Sequence, residues 1–175
     1  EWVDEKSKTN PTSSTGLQRL KAEKLWIEFA KNQNLPLQIF RLSGIYSYES
    51  NVLKRLQSGD AKIIKKENQF FSRIHVEDIA EVLFKSLEKF KAQEIYNISD
   101  DRPTSSEELI LYGSKLLNIE PPAIIELKSI ENEMVKNFYK DSKKVNNKKM
   151  KDIFNYKLKF PTYVEGLNDI HNNII

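Results

Sequence analysis

Apolar residues recur along this chain in two rhythms, and the switches between them predict a mixed α/β fold. From Gly16 to Asn32, the residues Leu17, Leu20, Ala22, Leu25, Trp26, Ile27, Phe29 and Ala30 fall at helical spacing yet occupy more than one stripe. A helix apolar round most of its girth needs cover on two sides. Two arrangements supply it: burial on both sides within one domain, or a sheet on one side and a partner subunit on the other. Asn34-Leu-Pro36 breaks the helix, since the residue ahead of a proline is pushed towards extended backbone. Leu37 to Leu42 reads as a buried strand, and the residues on to Tyr46 as the loop that follows it.

Downstream, Asn51 to Gln57 predicts a short helix ended by Gly59, and Ala61 to Lys65 and Phe70 to Ile74 predict short strands. Ile79, Ala80, Leu83, Leu87 and Phe90 share a helical face, giving a helix from Glu77 to about Phe90, and Glu94 to Ile98 is a strand. Thr104-Ser-Ser-Glu107 is a capping box, in which hydroxyl and carboxylate satisfy each other's backbone N–H, and it opens a helix to Leu117. Pro121-Pro122 stops the chain before an extended piece, Ala123 to Leu127. Helices follow at Ile130 to Tyr139 and Asn146 to Phe154, and Thr162-Tyr-Val-Glu165 caps the last one. Glu1 to Ser14 is polar and predicts a loop. Only two of the strands have the character of a buried sheet core, and such a pair is marginal by itself.

Composition narrows the function. At 175 residues the chain is long enough for one domain with a real core. Its net charge of +3 is spread along the length, without the basic stripe of a nucleic-acid surface, so no nucleic-acid partner is expected. Lys143-Lys144 and Lys148-Lys149-Met-Lys151 read as a solvated helix face, with phosphate binding as the alternative. The chain has no cysteine and only His75 and His171, so neither disulfides nor a zinc-type metal site is expected. No apolar run reaches the length of a membrane span and no signal-type segment opens the sequence; a cytoplasmic protein without a membrane partner is expected. The five glycines stand apart, no two within three residues. A dinucleotide turn needs clustered glycines so that backbone N–H groups approach the pyrophosphate, and this chain cannot build one.

Several segments in order carry a family resemblance. They are Glu1-Trp-Val-Asp-Glu5 with Pro11, Arg41-Leu-Ser-Gly-Ile-Tyr46, Arg73-Ile-His-Val-Glu-Asp-Ile-Ala80, Ile95-Tyr-Asn-Ile-Ser-Asp100 and Pro161-Thr-Tyr-Val-Glu-Gly-Leu167. Together they resemble the second half of an extended short-chain dehydrogenase of the NAD(P)-dependent epimerase/dehydratase family, closest to an atypical bacterial branch. The resemblance implies the C-terminal portion of a Rossmann-type α/β fold with a helix-rich substrate lobe, lacking the N-terminal glycine-rich half. It assigns 1–42 and 75–100 to the sheet, and 43–74 and 101–175 to the substrate lobe. It implies NAD or NADP as cofactor, anchored by the other half. The implied reaction is redox at a carbinol carbon of a small molecule, with a nucleotide sugar as candidate, in a homodimer formed through helix 16–32. The alternative is a catalytically silent protein of that fold with a binding, regulatory or dimerisation role.

The candidate site residues follow from the same alignment of motifs. The family's Tyr-x-x-x-Lys pair falls on Thr15-Gly-Leu-Gln-Arg19, in an intact Ala22-Glu23 frame. An aliphatic hydroxyl is too weak an acid to copy a phenol, and arginine has no proton to shuttle. Thr15 and Arg19 are therefore catalytic candidates by position, and His75 by chemistry, since an imidazole titrates near neutral pH; a turn-tying His75 is the alternative. Ser43, Gly44, Ile45 and Tyr46, at the carboxyl end of the strand, are the candidate cofactor contacts. Asn51, Arg73 and His75 are the candidate substrate contacts; Arg73 suits an anion held bidentately or an internal ion pair equally well. Where the family has Gly-Pro-Gly-Arg, this chain has Ser47-Tyr-Glu-Ser50. Asp78 is expected as a helix cap or dipole partner, and Asn97 and Asp100 as turn-closing polar groups.

Overall fold

Parallel pairing of short strands organises the computed structural model, which describes residues 1–173. The elements in order are β1 (Trp2–Val3), α1 (Ser14–Asn32), β2 (Gln38–Leu42), β3 (Gly44–Tyr46), α2 (Val52–Gln57), β4 (Ile63–Lys65), β5 (Arg73–His75), α3 (Val76–Glu88) and β6 (Glu94–Ile98). There follow α4 (Ser106–Leu117), β7 (Ile124–Glu126), a 3₁₀ turn (Leu127–Ser129), α5 (Glu133–Phe138), β8 (Lys144–Val145), α6 (Lys148–Phe154) and α7 (Tyr163–Asn173). β2 lies on β6 in register from Gln38↔Glu94 to Leu42↔Ile98. The chain then changes neighbour: Ser43 N–H donates to Ile98 O and Gly44 N–H to Ser72 O, each at 3.0 Å, and β3 runs beside β5. Two further parallel pairs, β4–β7 and β1–β8, complete the strands.

Side-chain alternation along β2 sets the layers. Phe40 stacks on Tyr96 at 5.7 Å between centroids, and Tyr96 meets Phe154 of α6 at 4.7 Å. The next residue, Arg41, points to the opposite face and grips Glu23 of α1 through two bonds of 2.9 and 2.7 Å. Helix α1 therefore lies on the side of β2 that Arg41 faces, and α6, which packs on β6 and α3, covers the other. One core joins Ile74, Ile79, Val82, Tyr96, Ile98, Met150, Phe154 and Leu158. A second joins Tyr46, Val52, Leu53, Leu56, Ile63, Ile110, Tyr163, Leu167 and Ile170, around α2, α4 and α7.

Several expectations change. The loop expected over residues 1–14 contains strand β1, paired with β8 far along the chain. Gly44–Tyr46 is a strand rather than a loop, and the strand expected at 70–74 forms at Arg73–His75. The capping box of α4 sits one residue later than its spacing suggests: Ser105 Oγ accepts from Glu108 N–H. Of the two arrangements open to α1, burial on both sides within this chain is not the one formed. Only Ala30 is buried there, while Leu17, Leu25, Trp26 and Phe29 are 55, 56, 60 and 51% exposed. The lysine cluster has structural employment: Lys148 pairs with Asp152, Lys149 with Glu94 and Lys151 with Asp101.

Candidate functional site at the strand ends

The β3–β5 pairing places Gly44 opposite Arg73, Ile45 opposite Ile74 and Tyr46 opposite His75. Five of the candidate residues thus lie on two adjacent strands. His75 ends β5 and caps α3: its Nδ1 accepts the Glu77 N–H at 3.2 Å. That bond requires the neutral tautomer with the proton on Nε2. The ring is fully buried against Tyr46, Tyr48 and Phe160, at centroid distances of 5.0, 5.8 and 4.2 Å. Burial pulls its pKa below the usual 6.5, against the attraction of Glu77 and Asp78. Nε2 has no hydrogen-bond partner among the described residues, and neither has the buried Tyr46 hydroxyl, whose pKa burial and the nearby Asp100 push far up.

Asp78 is not the helix cap. It is fully buried, and its carboxylate accepts from Tyr156 Oη (2.7 Å), Lys159 N–H (2.7 Å) and Phe160 N–H (3.1 Å). It therefore clamps the segment between α6 and α7, and that segment delivers Phe160 onto His75. Tyr48 donates to Asp169 of α7, and Gly166 of α7 sits against Tyr46, where an added Cβ would collide with the phenol. The sequence signal for these contacts was absent, because each joins residues about 80 to 120 positions apart.

Arg73 and Asp100 form the polar floor of the junction. Arg73 Nη1 donates to Phe71 O at 2.9 Å and Thr104 O at 3.3 Å. Its pKa is lowered by burial and partly restored by Asp100. Asp100, directly after β6, donates its N–H to Arg73 O at 2.6 Å and is 1% exposed. Its Oδ1 accepts from Arg102 N–H at 3.2 Å, while Oδ2 has no partner among the described residues. Burial raises its pKa to about 7, with the backbone N–H of Arg102 and the charge of Arg73 pulling the other way.

The remaining candidates are scattered. Ser43 has a buried hydroxyl without a partner, whereas Gly44 and Ile45 are exposed. Asn51 caps α2: Oδ1 accepts from Lys54 N–H at 3.1 Å and Nδ2 donates to Ser47 O and Tyr48 O. Thr15 and Arg19 lie exposed on α1, Thr15 Oγ1 being 3.4 Å from Ser13 Oγ. No hydrogen bond or ion pair among the described residues joins either to the β3–β5 cluster. Nor, among the described residues, are three or more His, Cys, Asp or Glu side chains placed to hold a metal.

No family model and no curated protein matches this chain. Solved structures do. The fold is the mixed α/β fold of NAD-dependent epimerase/dehydratase short-chain dehydrogenases, matched over about 55–60% of their length. A functionally unknown conserved protein from Silicibacter pomeroyi is 35% identical, with a TM-score of 0.91 over 99% of this chain and 60% of that one. The dTDP-glucose 4,6-dehydratase of Bacillus anthracis, solved with NAD, is 19% identical, with a TM-score of 0.79 over 98% of this chain and 55% of that one. A human epimerase family protein solved with NADPH is 17% identical, with a TM-score of 0.75 over 99% of this chain and 60% of that one. The latter two likenesses are of fold alone.

Proposed function

We propose that this chain acts as the C-terminal, substrate-side portion of an NAD(P)-dependent epimerase/dehydratase-like oxidoreductase, with residues 43–74 and 101–175 as its substrate lobe. The observation that carries the reading is the free flank of β2. Among the described residues β2 pairs with β6 alone, although strands buried in a parallel sheet are covered on both edges. Beside that flank, Ile27, Leu37, Ile39 and Ile95 line an apolar slot of ≈ 220 Å³ between α1 and the β2–β6 pair. A further strand would pair along the open edge of β2, bringing the β/α unit that carries the phosphate turn, and NAD or NADP with it. The Trp26 and Phe29 stripe of α1 is then left to pair with a second copy, in a cytoplasmic homodimer. A nucleotide sugar is the candidate substrate, drawn from the chemistry of the structural neighbours.

The isolated chain is expected to bind NAD(H) and NADP(H) no better than millimolar, because the pyrophosphate anchor is a glycine-rich helix N-terminus that it lacks. Calorimetry decides this: a micromolar dissociation constant for either dinucleotide refutes the reading. A second reading, a catalytically silent protein of the same fold, is favoured by Thr15 and Arg19 in place of a phenol and an amine, and by a His75 closed off from solvent.

A further inference from the structure

The two edges of the β2–β6 pair are finished differently. In a parallel ladder a residue turns its N–H and C=O to one edge, and its chain neighbours turn theirs to the other. Ile98 O accepts from Ser43 N–H at 3.0 Å and so faces β2. Ile95, Asn97 and, just past the strand, Ser99 therefore face the outer edge of β6, where no strand lies among the described residues. Side chains stand there instead. Lys149 Nζ donates to Ile95 O at 2.6 Å, Glu5 Oε1 accepts from Asn97 N–H at 2.8 Å, and Asn147 Nδ2 donates to Ser99 O at 2.8 Å. Three successive outward-facing residues are thus each met by one side chain, drawn from the start of α6 and from the segment after β1.

These side chains are themselves held. Lys149 Nζ also donates to Glu94 Oε2 at 2.7 Å and lies 4.9 Å from the Tyr96 ring centroid. Asn147 Nδ2 also reaches Asp101 Oδ1 at 2.7 Å. Glu5 is carried by a segment that β1 ties to β8. At the opposite edge of the pair, Gln38, Phe40 and Leu42 turn their backbone groups outward, and no strand or side chain among the described residues meets them. The asymmetry matters because an unguarded β6 edge could take the open β2 edge of a second copy, and the same step would repeat on every copy. Such a head-to-tail contact does not close on itself and produces filaments. We propose that Glu5, Asn147 and Lys149 are stops that end the sheet at β6, so that further strands add at β2 alone. The stop does not depend on what fills the β2 edge, so it stands or falls apart from the dinucleotide reading.

Sedimentation and amide hydrogen exchange of the full chain test this. The wild type is expected to grow no further than a dimer at tens of micromolar and to protect the Asn97 amide at every concentration. In Glu5→Ala/Lys149→Met that amide should exchange about tenfold faster in dilute solution, because its acceptor is gone. As concentration rises, the double variant should form species beyond the dimer, and protection of Asn97 should return as a strand of the next copy covers it. Methionine keeps an apolar stem against Tyr96, and where the double variant fails to fold, Lys149→Met alone carries the test, with growth beyond the dimer again expected. A variant that sediments as the wild type does, a double variant that grows while Asn97 stays unprotected, or a wild type that itself forms filaments overturns the proposal.

Discussion

At the scale of single residues, buried polar groups decide how the strand ends are shaped. Asp78 holds three donors from the segment between α6 and α7, so Asp78→Ala strands two backbone N–H groups and a phenol. A loss of about 3–5 kcal/mol is expected in urea denaturation, the scale for breaking a buried, charge-assisted cluster. Tyr46 and Gly166 form a matched pair. Gly166→Ala favours the helix intrinsically yet drives a methyl into the phenol, and overpacking of this kind costs about 1–3 kcal/mol. Removing the hydroxyl takes away the nearest of these contacts and deletes an unpaired buried group, while ring carbons Cε2 and Cζ remain 2.7 and 2.8 Å from the added methyl, so Tyr46→Phe should restore only part of the loss in the double variant. Equal melting temperatures for Gly166→Ala in both backgrounds would contradict the pairing.

At the scale of elements, α1 stands out because its stripes have different fates. Leu20, Glu23, Ile27 and Ala30 follow helical spacing along the sheet side, with Glu23 fixed by Arg41. Leu25, Trp26 and Phe29 project elsewhere, the two aromatic rings meeting edge to face at 6.2 Å. Covering three such side chains stabilises an association by several kcal/mol, at about 25 cal/mol per Å² of apolar surface removed from water. The wild-type chain is therefore expected to sediment as a dimer at tens of micromolar, and Trp26→Glu as a monomer. A wild type that stays monomeric at millimolar concentration would sink this role for α1. Helix α2 gives a smaller test. Asn51 supplies its cap and ties down two loop carbonyls, so Asn51→Ala should cost about 1–2 kcal/mol.

At the scale of the whole molecule, two buried titrating groups pull stability in opposite directions with pH. Folding raises the Asp100 pKa to about 7, from an ordinary 3.8. The folded state therefore binds the proton more tightly, and this contribution is full below pH 3.8 and lost as pH rises to about 7. Folding lowers the His75 pKa below 6.5, so its contribution is present above 6.5 and lost as pH falls through the folded value. Asp100→Asn should thus be more stable relative to wild type at pH 8 than at pH 5, and His75→Gln more stable relative to wild type at pH 5 than at pH 8. Denaturant midpoints at the two pH values measure both differences; parallel shifts would show that neither group titrates between those limits.

Much of this architecture was legible in the sequence. Periodicity located α1, α3, β2 and β6, because each depends on local propensity and on an apolar face that repeats in register with its backbone. Caps and breakers found the start of α2 at Asn51, its end at Gly59 and the start of α7 at Thr162. Motif order placed Gly44 to Tyr46 near Arg73 and His75, although not as paired strands. The rest came from contacts between distant segments, which leave no periodic trace. The β1–β8 pairing, the clamp of Asp78 on the segment after α6, and the unpaired Oδ2 of Asp100 all join or isolate groups far apart in the chain. So does the exposure of α1, whose girth of apolar residues showed that cover is needed without showing that this chain leaves one side of it open. Composition and local pattern determined which elements form, because their energetics are local. Tertiary structure decided which polar groups are buried together and which are buried without a partner, because burial and pairing are properties of the assembled chain.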